Sequence, residues 1–122
     1  EDAKTARIAA KPLQGTAVSN PDFPHEIKIS GNTIKEWTNQ PHKHFREKNR
    51  MLLDIKKVMK NARYIGKTDN HKNAKRVIGS HIFEYELSSE KTWIIVREYD
   101  WGEMVLHSIT DCETILSHIK KK

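Results

Sequence analysis

Three short β-type runs, at about residues 80–88, 91–99 and 103–110, constrain this chain more than any other feature. Each is rich in β-branched and aromatic residues and carries a polar or ionisable residue of a kind that handles protons or phosphates. Ser88-Ser89-Glu90-Lys91 and Asp100-Trp101-Gly102 separate them and read as tight turns, with Gly102 free to take a positive φ. Such connections are too short for a helical crossover, so the strands should pair antiparallel as a meander.

Helical patterning precedes the strands. Gly31-Asn32-Thr33 offers a cap for a short helix over residues 34–39, which Pro41 must end. A longer helix is expected over residues 44–63. Phe45, Leu52, Ile55, Met59 and Ala62 keep the steps of one apolar face there, with Lys48, Lys56, Lys57 and Lys60 off the stripe. Ile27 to Ile29 reads as a short strand, residues 66–79 as a polar, basic loop, and residues 111–119 as a closing helix. Residues 1–24 read as an irregular lead-in, interrupted by Pro12, Pro21 and Pro24. The expected class is α+β: N-terminal helices packed on a small antiparallel meander sheet, with a short C-terminal helix. Residues 25–122 would form a single domain.

At 122 residues the chain supports one core, and three Trp, three Tyr and three Phe are available to fill it. A single cysteine, Cys112, excludes an internal disulfide, and no apolar run approaches the length of about 20 needed to span a bilayer. The chain opens on Glu1 and not Met, which suggests a piece of a longer polypeptide. The net charge of +6 is unevenly placed: residues 35–76 hold thirteen Lys/Arg against four acids, and residues 77–122 hold five against eight. A polyanion would be drawn to the first of these segments, although a lysine-rich solvated helix face has the same signature.

Several residue types suited to phosphate and proton chemistry fall on the expected sheet: His81, Arg97, His107, Ser108 and Thr110. Cleaving RNA without metal needs a base, an acid and a cation for the phosphorane. Histidine titrates near neutrality and arginine offers a fixed fork of donors. Strand parity puts His81 with Phe83, Tyr85 and Leu87, and Arg97 with Trp93, Ile95 and Tyr99. It sets His107 with Val105 and Ile109, and Ser108 and Thr110 opposite with Met104 and Leu106, so a site using both histidines requires that bulges or strand ends permit it. Lys35, His42, His44, Lys67, Lys72, Lys75 and Arg76 are candidate RNA contacts. Against each stands the ordinary alternative of a core histidine or a solvated loop. No third ligand accompanies His42 and His44, so neither a metal nor a cofactor is expected. Trp37 and Trp93 read as core; Trp101 reads as exposed and able to stack on a base.

Thr33-Ile-Lys-Glu36, His42 with His44, Leu52-Leu53 with Asn61-Ala62, His81-Ile-Phe-Glu84, Ile95-Val-Arg-Glu98 and Leu106-His-Ser-Ile-Thr110 together resemble the Barnase–EndoU–Colicin–RelE-like (BECR fold) nuclease domains. The resemblance is to those in polyvalent proteins of phages and conjugative elements, and it covers residues 27–112. It implies a metal-independent endoribonuclease, RNA as partner, an immunity protein or antitoxin as a further partner, and no membrane. Location would be cytoplasmic, as part of a larger phage or mobile-element protein. His81, His107, Arg97, Ser108 and Thr110 would then be catalytic. A catalytically inactive RNA-binding or protein-interaction module of the same fold is the alternative.

Overall fold

The computed structural model describes residues 3–69 and 75–119. The chain begins with α1 (Ala3–Ala10), a 3₁₀ turn (Lys11–Leu13), β1 (Ala17–Asn20) and β2 (Phe23–Lys28). Then come α2 (Gly31–Asn39), α3 (Phe45–Leu53), α4 (Ile55–Asn61) and β3 (Arg63–Asp69). β4 (Val77–Leu87), β5 (Glu90–Tyr99), β6 (Met104–Thr110) and a second 3₁₀ segment (Glu113–His118) complete it.

The three expected strands are β4, β5 and β6, paired antiparallel in sequence order. The β4–β5 turn is tighter than expected. Leu87 faces Glu90, so Ser88 and Ser89 alone close the hairpin, both at positive φ. The whole sheet is mixed, with strand order β1-β2-β6-β5-β4-β3. β3 extends the meander on one side, while β2 joins β6 in parallel on the other. A purely antiparallel meander is therefore corrected to a six-stranded mixed sheet.

Four further expectations change. The supposed lead-in holds α1, β1 and the start of β2, and it supplies Ala10, Val18 and Phe23 to the core. The loop expected over residues 66–79 gives way to β3 up to Asp69 and to β4 from Val77. The long helix is broken at Asp54 (φ −116°, ψ 27°) into α3 and α4, yet the apolar stripe survives the break, with Leu52, Ile55, Met59 and Ala62 all buried. The closing helix is 3₁₀.

Helix α2 starts with a reciprocal cap. Ser30 Oγ accepts from the Thr33 amide at 3.0 Å, and Thr33 Oγ1 accepts from the Ser30 amide at 3.0 Å. Thr33 Oγ1 also donates to the Leu106 carbonyl, which pins the helix start to β6. At the other end Trp37 is fully buried, its Nε1 donating to the Lys48 carbonyl at 2.8 Å. Lys48, expected off the apolar stripe, is itself buried. Its ammonium donates to the Trp37 and Gln40 carbonyls at 2.6 and 2.7 Å and lies 4.3 Å from the Phe45 ring centre. It thus satisfies carbonyls that the end of α2 would otherwise leave open.

These helices cover one face of the sheet, here the inner face, where Phe83, Ile94, Val96, Leu106 and Ile109 meet Trp37, Leu52 and Met59. Asn20, buried on β1, donates to the Met59 and Ala62 carbonyls at 2.6 and 2.7 Å and fastens the first hairpin to α4. Phe23 on β2 reaches rings on β3 and β4, Tyr64 at 5.5 Å and Phe83 at 5.4 Å, so the sheet curls. On the outer face the second 3₁₀ segment folds back, with Ile119 bridging to Thr68. No helix among the described residues is long and apolar enough to cross a membrane.

Candidate functional site

The residues expected to form one sheet site fall on two faces. Pairing of Ser80 with Arg97 and of Ile95 with Ser108 puts Arg97, Ser108 and Thr110 on the outer face. His81 pairs with Val96 and belongs to the inner face, with Phe83 and Tyr85 as parity required. A bulge decides the placement of β6. Ile95 pairs with Ser108 but Val96 pairs with Leu106, so His107 is the extra residue. Consecutive His107 and Ser108 therefore line one outer cavity, together with Arg97 and Thr110. Ile109 turns inward instead, which corrects its expected grouping with His107.

His81 sits in a groove at the end of the inner face that the helices leave uncovered. Asp22, Phe23, Pro24, His25, Tyr64, Glu98, Gly102 and Met104 line it with His81. His81 Nε2 is 2.7 Å from Glu98 Oε1, and its Nδ1 is 2.9 Å from the Tyr64 hydroxyl. Lys67 Nζ reaches the same Glu98 oxygen at 3.2 Å. Phe23 packs against His81 at 4.8 Å between ring centres and against His25 at 5.4 Å.

Electrostatics fix the direction of these bonds. Burial lowers the His81 pKa, and the opposing pull of Glu98 does not restore it, so the ring is neutral near pH 7. Burial raises the Glu98 pKa, but hydrogen bonds from His81 and Lys67 outweigh this and hold it below the ordinary carboxylate value. Ionised Glu98 only accepts, so the proton is on Nε2. Nδ1 is then an acceptor, and Tyr64 donates to it. Burial, then the Glu98 charge, raises the Tyr64 pKa, so the phenol keeps its proton. The order Tyr64–His81–Glu98 repeats the logic of a hydroxyl, a base and an orienting carboxylate.

Of the expected RNA contacts among the described residues, Lys67 alone joins this groove through Glu98. Lys35 is exposed on α2 and Lys75 is exposed before β4. Arg76 pairs with Asp100 at 3.2 Å, its guanidinium 5.3 Å from the Trp101 ring centre. His42 Nδ1 accepts from the His44 amide at 2.9 Å, leaving Nε2 to donate to Thr92 Oγ1 at 2.8 Å. It thereby ties the turn before α3 to β5. His44 Nε2 lies 3.5 Å from Glu90. Lys72 falls outside the described residues. Trp37 and Trp93 are core and Trp101 is exposed, as the sequence implied.

Tyr64, Glu98, His25 and, in the outer cavity, His118 were not singled out in the sequence. Glu98 was legible in principle, because the regular β4–β5 register sets it across from Gly79, two residues from His81 on the same face. Tyr64 was hidden by reading the start of β3 as the end of a helix.

Geometry thus defines a mixed α/β domain with a Tyr–His–Glu–Lys cluster around a buried His81 on one face of its sheet and an arginine-lined cavity on the other. The model of the large polyvalent protein-associated domain 3 family matches residues 1–107, and the chain belongs to that family. The match takes in α1, β1 and β2, which accords with their place in the core. Neither a curated protein nor a solved structure matches the chain.

Proposed function

We propose that this domain cleaves RNA without metal, by 2′-hydroxyl attack on the adjacent phosphodiester, in the groove around His81. The observation that carries the reading is the directed chain Tyr64–His81–Glu98, at 2.9 and 2.7 Å, which lines a groove beside Lys67 and His25. The substrate 2′-hydroxyl gives its proton to Tyr64 Oη as Tyr64 passes its own to His81 Nδ1. The 2′-oxygen then attacks phosphorus and the bond to the 5′-oxygen breaks. Glu98 stabilises the imidazolium, Lys67 faces the phosphorane charge, and His25 protonates the leaving 5′-oxygen. The products are a 2′,3′-cyclic phosphate and a 5′-hydroxyl. Resemblance to BECR nuclease domains supports the same reading, and with it a toxin-like role inside a cytoplasm, carried there by a phage or mobile-element protein and countered by an immunity protein or antitoxin.

One observation favours a non-catalytic RNA-binding or protein-interaction module: both His81 ring nitrogens are already hydrogen-bonded. Turnover separates the two. Labelled tRNA and mixed single-stranded RNA would be incubated in EDTA with the wild type, Tyr64→Phe, His81→Gln and Arg97→Met. The nuclease reading expects cyclic-phosphate ends, a loss of roughly 100-fold or more in Tyr64→Phe and His81→Gln, and retained cleavage in Arg97→Met. Intact RNA with salt-sensitive gel shifts would establish the binding module instead.

A further inference from the structure

The outer-face cavity, of about 230 Å³, is not used by the proposed reaction. Its wall is a row across three strands, Thr68 opposite Ser80 and Ser80 opposite Arg97. Arg97 is partly buried. Among the described residues its guanidinium has no hydrogen-bond or ion-pair partner, although every other arginine of β3 to β5 that is described, Arg63 and Arg76, pairs with a carboxylate. Thr68 is fully buried and its hydroxyl has no partner either. The partly buried guanidinium and the buried hydroxyl flank Ser80 from either side, and a buried hydroxyl without a partner is costly unless something supplies one. Guanidinium and hydroxyl donors together suit the oxygens of a phosphate.

The remaining wall narrows the choice. Val77, Ile95 and Ile115 add apolar surface, which a bare ion would not use and an organic body would. His107 lines the β6 side and His118 the 3₁₀ segment that folds over this face. Asp69, exposed, adds a carboxylate to the lining. Together these disfavour a polyphosphate or a nucleic-acid strand.

We infer that the outer-face cavity binds a phosphomonoester with a small neutral body of about pentose size, its phosphate held by Arg97, Thr68 and Ser80. The site lies across the sheet from the His81 groove and stands independently of the proposed cleavage.

Calorimetric titration of the full chain with ribose 5-phosphate, ribose and inorganic phosphate tests it. Saturable binding of ribose 5-phosphate is expected, with ribose silent and inorganic phosphate weaker. Arg97→Met should weaken binding at least tenfold and Thr68→Val, which removes only the hydroxyl, several-fold. His81→Gln should leave it unchanged. Absence of saturable binding, or binding indifferent to both Arg97→Met and Thr68→Val, overturns the site. Inorganic phosphate binding as tightly as ribose 5-phosphate overturns the organic body. If Arg97→Met does not fold, Thr68→Val and Ser80→Ala decide the outcome.

Discussion

At the scale of single residues, three bases, His81 and Lys48 buried and His42 half-buried, tie this fold to pH in the same direction over two separate ranges. His81 and His42 both have pKa values lowered, chiefly by burial. In the unfolded chain they titrate near about 6.5, so below that pH the unfolded state binds protons that the folded state refuses. Stability is therefore full above about pH 6.5 and falls as the pH drops toward the folded values. We expect the thermal midpoint to fall between about pH 7 and about pH 5, and the fall to shrink in His81→Gln and His42→Asn. A midpoint independent of pH in that window would refute the assignment. Lys48 acts with the same sign at higher pH. Burial lowers its pKa from 10.5 to about 8, while the Trp37 and Gln40 carbonyls favour the charged form. Between those values the unfolded state holds the extra proton, so stability should rise with pH by on the order of 2–3 kcal/mol. Urea titrations at about pH 7 and about pH 10 would show the rise in the wild type and its absence in Lys48→Met. Little of this was legible in advance. Lys48 is polar and lies among other lysines, and nothing in its neighbours announces that the chain closes over it.

At the scale of elements, two devices position the strands. The β4–β5 hairpin turns on Ser88 and Ser89 at φ 51° and 64°, a conformation that serine adopts at a cost. Replacing the pair by Asn-Gly should stabilise the domain by about 1 kcal/mol, read as a higher denaturant midpoint with unchanged slope. The second device is a pair of glycines. Gly66 takes φ 152°, and a Cβ there would overlap the Ile119 γ-methyl; a Cβ on Gly79 would stand 2.6 Å from the Thr68 carbonyl oxygen. Gly66→Ala should cost roughly 1–2 kcal/mol, part of it recovered with Ile119→Ala. Gly79→Ala should cost more, because its obstacle is backbone that no side-chain change relieves. A double-mutant cycle measures the difference. The central strands were legible because β-branched and aromatic residues crowd them. The β3 strand was not: Arg63-Tyr-Ile-Gly-Lys-Thr-Asp69 is an edge, polar and interrupted by a glycine, and edges look like loops. The α1 helix was missed because it buries only Ala6 and Ala10, so no large apolar residue marks its period.

At the scale of the whole molecule, the first 28 residues decide whether the domain exists. Pro21 and Pro24 read as strand breakers, but Pro24 lies in β2 ahead of Ile27 and Lys28, the positions that pair with β6, so no sheet bond needs its missing amide. The β2 strand shields the edge of β6, its Ile27 is fully buried, and Phe23 closes one wall of the His81 groove. On β1, Val18 enters the core and Asn20 holds two α4 carbonyls. Removing residues 1–24 would delete Ala10, Val18, Asn20 and Phe23 from the buried set. At about 1.5–3 kcal/mol for each large apolar side chain, and a further cost for α4 carbonyls left unsatisfied, the loss is comparable with a typical domain stability of about 5–15 kcal/mol. We therefore expect a chain starting at residue 25 to lack a cooperative thermal transition by near-ultraviolet circular dichroism. Were the segment a mere lead-in, that chain would melt like the full protein. The same experiment bears on the site, because the groove is closed by β2 and cannot outlast it. Loss of the fold on truncation would make the curled sheet, from β1 round to β3, the smallest unit that can carry a Tyr64–His81–Glu98 relay.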